Sequence, residues 1–269
     1  MRYKNYAVSM LLTLVTAGAV TASAGQDTHE PLRLGLEHIV RQRIFFGHQS
    51  VGVNLLDGLQ VLASTAGIPL RIEEAPTASN VRAGGIGHSF MAENRNPVGK
   101  LQSFYRAISM QASELDIAIL KLCYLDFTAK TDVKALFTQY HTTMNDLCSR
   151  NPGVAIVHAT TPLTSIQLGP KVFLKGLLGR APYGLLENLR REEYNDLLRQ
   201  TYTGRAPIFD LARLESTTPN GKQTVATWKG RLVPELAPIY TDDGGHLNAT
   251  GQLRVAREFV AVLATIPER

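Results

Sequence analysis

The chain has 269 residues, 44% of them hydrophobic and 19% charged, with 28 Lys and Arg against 23 Asp and Glu for a formal net charge of +5. That length leaves room for one medium-sized domain with a substantial core. The mild positive balance, with no Lys/Arg run alternating with aromatics, does not support nucleic-acid binding.

Residues 1–24 read as a secretory signal peptide. Arg2 and Lys4 precede an apolar run, Ala7 to Ala19, too short to span a bilayer comfortably, and Ala22-Ser23-Ala24 is a small-x-small cleavage site. The short run disfavours an uncleaved anchor, and the expected address is secreted or periplasmic. Loss of the leader lowers the net charge to +3. Residues 25–269 are expected to form a single domain.

Within it, Leu32 to Arg41 has helical spacing, and Arg43 to Gly47 (RIFFG) is the first strand, ending in His48-Gln49-Ser50. A helix follows with apolar positions Val51, Leu55, Leu59 and Leu62. Ser50 therefore falls between a buried strand and a helix, where an open α/β sheet binds ligands, although Ser at such a junction also serves as an N-cap. Ile68 to Glu73 is the second strand. It opens a long loop, Ala75 to about Val98, holding Gly84, Gly85 and His88; glycines there let backbone N–H groups approach a ligand, and His88 is either a substrate contact or a solvated loop residue.

Leu101 to Ala112 is helical, Asp116 to Cys123 (DIAILKLC) is a near-continuous apolar strand, and Tyr124-Leu125-Asp126 follows at its carboxyl end. A helix from Thr131 to Ser149 with Asp132 in its first turn, a turn at Asn151-Pro152-Gly153 and a strand from Val154 to His158 come next. The apolar and basic stretch 163–186 is long for a connection and suits a lid, a membrane-surface contact (166–186) or plain loop packing. Glu187 to Tyr202 is a helix, Pro207 to Leu211 the last strand, and Glu215 to Tyr240 a loop with the only Trp, Trp228, lining a cleft or filling the core. A helix from Gln252 to Ala264 closes the chain. Cys123 and Cys148, at opposite ends of one helix, are expected to be free and largely buried, some ~25 Å apart at 1.5 Å per residue.

Before that last helix stands DDGGHLNATG, Asp242 to Gly251. Taken alone it fits a surface turn before a helix as well as it fits a catalytic pair, with Asp243 three residues before His246. Ser50 at the matching end of the first strand tips the balance, because it completes a Ser-His-Asp set on one edge of a parallel sheet. No His-x-x-x-His or Cys-x-x-Cys pattern suggests a metal, and no cofactor is implied.

At these residues the chain resembles the SGNH/GDSL hydrolase family. Asp243 to Gly251 is similar to the family's last block, Asp-x-x-His before a helix, and Gly47-His48-Gln49-Ser50 keeps the Ser of its first block without the Gly-Asp. The resemblance implies a three-layer α/β/α sandwich with a parallel, flavodoxin-like sheet of about five strands. It implies Ser50 as nucleophile, His246 as base and then acid, and Asp243 as the orienting carboxylate. For the oxyanion hole it implies the Ser50 N–H with that of Gly84 or Gly85. The family's third block, Gly-x-Asn-Asp, falls on Cys123 to Asp126 and puts Leu125 where Asn supplies a donor. Gln49, Tyr124, His48 and Asn54 are the candidate replacements, and His48, Asn54, His88 and Asp126 the candidate substrate contacts. The expected activity is removal of O-acyl groups from carbohydrate or other envelope esters. The alternatives are a weak or inactive carbohydrate-binding relative and a lipid-ester hydrolase.

Overall fold

The computed structural model describes residues 29–109, 114–166 and 181–268. Residues 1–24, expected to be a leader, and most of the 163–186 stretch lie outside the described residues. Among the described residues no helix is long and apolar enough to cross a membrane.

Six parallel strands form the central sheet: β1 (Arg43–His48), β2 (Arg71–Glu74), β3 (Gly85–Phe90), β4 (Ile117–Leu120), β5 (Ala155–Ala159) and β6 (Ile208–Phe209), in the order β2-β3-β1-β4-β5-β6. Alternation along the strands builds two cores. Ile44, Phe46, Ile86, Ile117 and Ile119 face α1 (His29–Ile39), α2 (Ser50–Ala66) and the C-terminal helix, while Phe45, Ala118 and Leu120 face the opposite layer. That opposite layer is α3 (Pro97–Ser109), α4 (Val133–Arg150) and α5 (Leu185–Tyr202). The result is a three-layer α/β/α sandwich, with one strand more than the sequence led us to expect.

The extra strand is the expected glycine loop. Residues 85–90 lie between β1 and β2, in register Arg43↔Gly85 to His48↔Phe90. Glycine is needed there for close packing: a Cβ on Gly85 would meet the Arg71 carbonyl oxygen at 2.3 Å, and one on Gly87 the Val81 and Ala75 side chains at 2.6 and 2.8 Å. Two further expectations are corrected. The strand at 207–211 shortens to Ile208–Phe209 because the Asp210 side chain accepts the Arg213 N–H and caps α6 (Leu211–Ser216). The loop at 215–240 contains an antiparallel hairpin, β7 (Val225–Trp228) and β8 (Arg231–Pro234). Trp228 packs in its small apolar cluster with Ile166, Leu185 and Val233. The chain ends in α7 (Ala249–Ala264), which packs along α2 and α1. Both cysteines are free; Cys123 is buried, but Cys148 is exposed because the end of α4 turns that position outward.

Candidate active site

Ser50 is the first residue of α2, directly after β1. The preceding Gln49 makes no side-chain cap, but its carbonyl accepts the Gly52 N–H at 2.7 Å, which leaves the Ser50 and Val51 N–H groups of this 17-residue helix for other partners. His246 stands just before α7, whose N-cap Asn248 accepts the Gly251 N–H. Because α2 and α7 are neighbours in one layer, their N-termini bring together residues 196 positions apart in the chain: His246 Nε2 lies 3.0 Å from Ser50 Oγ. His246 Nδ1 lies 2.6 Å from Asp243 Oδ2.

The carboxylate is fixed by its own turn. Asp243 Oδ1 accepts the N–H groups of Gly245 and His246, both at 2.8 Å, and the Thr241 hydroxyl at 3.3 Å. These donors, with the imidazole, hold the carboxyl well below the usual carboxylate range. Ionised Asp243 can only accept, so the shared proton sits on Nδ1 of His246 and the lone pair of Nε2 faces Ser50. The loop is fastened at both ends: Asn54 Oδ1 in α2 accepts the Leu247 N–H, and the Gly244 carbonyl accepts the Ser165 N–H.

Several expected site residues do other work. Gly84 and Gly85 both donate to the Gln42 carbonyl at the amino end of β3, roughly 16 Å from Ser50 at 3.3 Å per residue, so neither contributes to an oxyanion hole. Gln49 is also ruled out as a side-chain donor, since its Nε2 is spent on the Met91 and Ala92 carbonyls at 2.5 and 2.8 Å. Asn54 is the loop fastener just described. Asp126 is no substrate contact: it is buried, paired with Lys100 Nζ at 2.7 and 2.8 Å, and accepts the Cys123 and Arg95 N–H groups.

His48 is fully buried, and burial drives its imidazole down to about 3. Its Nδ1 lies 2.9 Å from the Gln49 carbonyl, which can only accept, so Nδ1–H donates and Nε2 accepts from Nδ1 of His88 at 3.1 Å. His48 thus braces the Ser50 turn. His88 is half-buried on β3, not on a loop. Tyr124 opens a short 3-10 turn after β4 and sets its ring edge-on to His246, with centroids 6.0 Å apart. A Cβ on Gly245 would meet the Tyr124 hydroxyl at 3.1 Å, which is why glycine precedes the histidine. Leu125 is half-buried and offers no side-chain donor.

Sequence reasoning missed the residues that support this edge. Arg191 of α5, buried, donates twice to the Tyr124 carbonyl at 3.1 and 2.9 Å and once to the Thr164 hydroxyl, and also bonds Asn188 Oδ1. Lys100 stands on the buried face of α3 with Leu101, Phe104 and Ile108, and a cation on an apolar stripe is the signal that marks it. Nothing local marks Arg191.

No family model matches the chain, and no curated protein matches it in sequence. Solved structures do. A Streptococcus pneumonia protein named for a platelet activating factor is 12% identical, covers 88% of this chain and 92% of its own, and has a TM-score of 0.51. A GDSL-like lipase from Bacteroides thetaiotaomicron is 12% identical over 87% of this chain and 97% of its own, with a TM-score of 0.48. At these identities the similarity concerns the fold alone, and the Streptococcus pneumonia structure carries it.

Proposed function

We propose that this chain is an exported serine esterase that removes O-acyl groups from carbohydrate or other envelope esters. The carrying observation is the hydrogen-bonded chain Ser50 Oγ, His246 and Asp243, at 3.0 and 2.6 Å, at the carboxyl edge of a parallel sheet. Export rests on the leader-like residues 1–24, and the acyl carrier on that address.

In this reading His246 Nε2 takes the Ser50 proton as Oγ attacks the ester carbonyl. Asp243 steadies the imidazolium that forms. The tetrahedral oxyanion lies at the N-terminus of α2, where the Ser50 N–H and the helix dipole favour negative charge. His246 returns the proton to the leaving alkoxide, and water, deprotonated in turn by His246, releases the acyl group and restores Ser50.

A fluorophosphonate probe tests this directly. The wild-type protein is expected to be labelled at Ser50 and to hydrolyse aryl acetates, with both lost in Ser50→Ala. A folded wild type that is neither labelled nor active, but that binds O-acetylated polysaccharide and is matched in this by Ser50→Ala, points instead to the binding-only role that Leu125 leaves open.

A further inference from the structure

The peptide joining Gln49 to Ser50 is gripped from one side. A trans peptide is planar, with its C=O and N–H pointing in opposite directions, so whatever fixes the Gln49 carbonyl also aims the Ser50 N–H. That carbonyl accepts two donors, the Gly52 N–H at 2.7 Å and Nδ1–H of His48 at 2.9 Å. The first closes the opening turn of α2. The second comes from a side chain that nothing in helix formation requires.

The surroundings hold that side chain in one place. Its ring packs between those of Phe46 and Phe90, with centroids 4.7 and 5.2 Å away. Neutral at ordinary pH through burial, the imidazole has one N–H to give, and Nε2, which accepts from Nδ1 of His88, leaves that proton on Nδ1. Only glycine fits beside it on α2, because a Cβ on Gly52 would overlap Cγ, Cβ and Nδ1 of His48. The backbone below is tied to both neighbouring strands: the His48 carbonyl accepts the Met91 N–H at 3.1 Å, and the Gly47 carbonyl the Lys121 N–H at 2.9 Å. The sheet thus holds the ring, and the ring holds the Gln49 carbonyl.

Resting on the serine-esterase reading, we propose that His48 is a positioning residue for the oxyanion. Through the Gln49 carbonyl it sets the plane of the one peptide whose N–H, that of Ser50, receives the negative oxygen. Two donors on the carbonyl also polarise the amide, which strengthens its N–H as a donor. The reaction leans on this N–H because Leu125 offers no side-chain donor and the N–H groups of Gly84 and Gly85 are bonded to the Gln42 carbonyl at the far end of β3. His88 acts one step further back, by holding the His48 ring and its proton in place.

The test sets donor against volume. His48→Phe keeps a ring and loses the donor, whereas His48→Asn keeps a donor, Nδ2–H, one bond beyond Cγ as Nδ1–H is, and loses volume. Aryl-acetate turnover, fluorophosphonate labelling rate, the urea midpoint and the low-field proton resonance of His246 Nδ1–H are measured for each. His48→Phe is expected to lower kcat and the labelling rate by about tenfold, with KM changed less than about twofold, less than the loss of a whole oxyanion donor because the Gly52 N–H still holds the carbonyl. His48→Asn is expected to have the lower urea midpoint yet keep kcat within about threefold of wild type. A merely structural His48 gives the reverse order, with turnover following stability, and that result overturns the inference. So does loss of the low-field resonance in His48→Phe, which would place the damage in the triad. Should His48→Phe not fold, Gly52→Ala decides, since its methyl forces the ring off the carbonyl: about a tenfold fall in kcat is expected, and wild-type turnover overturns the inference. A wild type that is neither labelled nor active overturns the esterase reading, and the inference falls with it.

Discussion

The rim of the site and its foundation are built by opposite rules. At the rim, Asp243 and His246 are about half exposed, three residues apart, and held by a single turn. Beneath them, Asp126, Lys100, Arg191 and Glu215 are buried and come from four different segments. The rim keeps the freedom a reacting group requires, with one nitrogen lone pair aimed at Ser50. The foundation commits nearly every hydrogen bond to holding the strand ends in place. Substitutions at the rim should therefore cost turnover and spare stability, and those below should do the reverse.

The largest expected effect tests the first half. Asp243→Asn can still accept the Gly245 and His246 N–H groups, so its denaturation midpoint should stay close to wild type. Its new amide faces His246 Nδ1, however, and forces the wrong tautomer. A loss of about 10³–10⁴ in kcat is expected from steady-state kinetics. A variant that unfolds as readily as it loses activity would erase the distinction.

Lys100→Met tests the second half. It strands Asp126, whose carboxylate then has only the Cys123 and Arg95 N–H groups, and should lose about 3–5 kcal/mol in urea denaturation. Lys100→Met with Asp126→Leu should recover part of that loss, since the uncompensated charge is gone. Turnover per folded molecule should change far less than in Asp243→Asn.

Glu215 gives a smaller effect that depends on pH. Burial raises its carboxyl to about 8, so between the unfolded value near 4.5 and 8 the folded chain holds the extra proton. Stability attributable to this group is present below pH 4.5 and declines as pH rises to 8. Subtracting the Glu215→Gln stability profile from that of wild type should isolate this slope. The subtraction matters because His48 and His158, both pushed down to about 3 by burial, impose the opposite slope between about pH 3 and 6.5.

The same divide governs how far the sequence could be read. Continuous apolar runs mark β1, β4 and β5 in the sequence, because Phe45-Phe46 and Ile117 to Leu120 are buried on both faces. The spacing of Asp243 and His246 was legible because one turn makes it. β3 was not, since its glycines answer to Arg71, Ala75 and Val81 across the sheet and look like a ligand loop in one dimension. The roles of Gln49 and Asp126 were hidden for a similar reason: each is decided by a partner 26 or more residues away, Lys100 for Asp126 and Met91 for Gln49. Glu215 was read as a loop residue because the cap at Asp210, which starts its helix, resembles the end of a strand.

The smallest effect lies where rim and foundation meet. Tyr124 is clamped from below through its carbonyl by Arg191, and above it the ring edge backs His246 while the hydroxyl occupies the space beside Gly245. Gly245→Ala puts a methyl 3.1 Å from that hydroxyl and 3.3 Å from the ring carbon bearing it, so the loop must give by a few tenths of an ångström. A shift of that size at an imidazole 3.0 Å from its nucleophile should lower kcat by roughly tenfold, with KM and stability little changed. Tyr124→Phe alone removes no hydrogen bond to the triad and should be nearly silent. Combined with Gly245→Ala it removes the nearer contact and should return part of the lost turnover. A double-mutant cycle in kcat would measure this coupling. Additive losses would mean that the clamp from Arg191 stops at the Tyr124 backbone and that the histidine is held by its own turn alone.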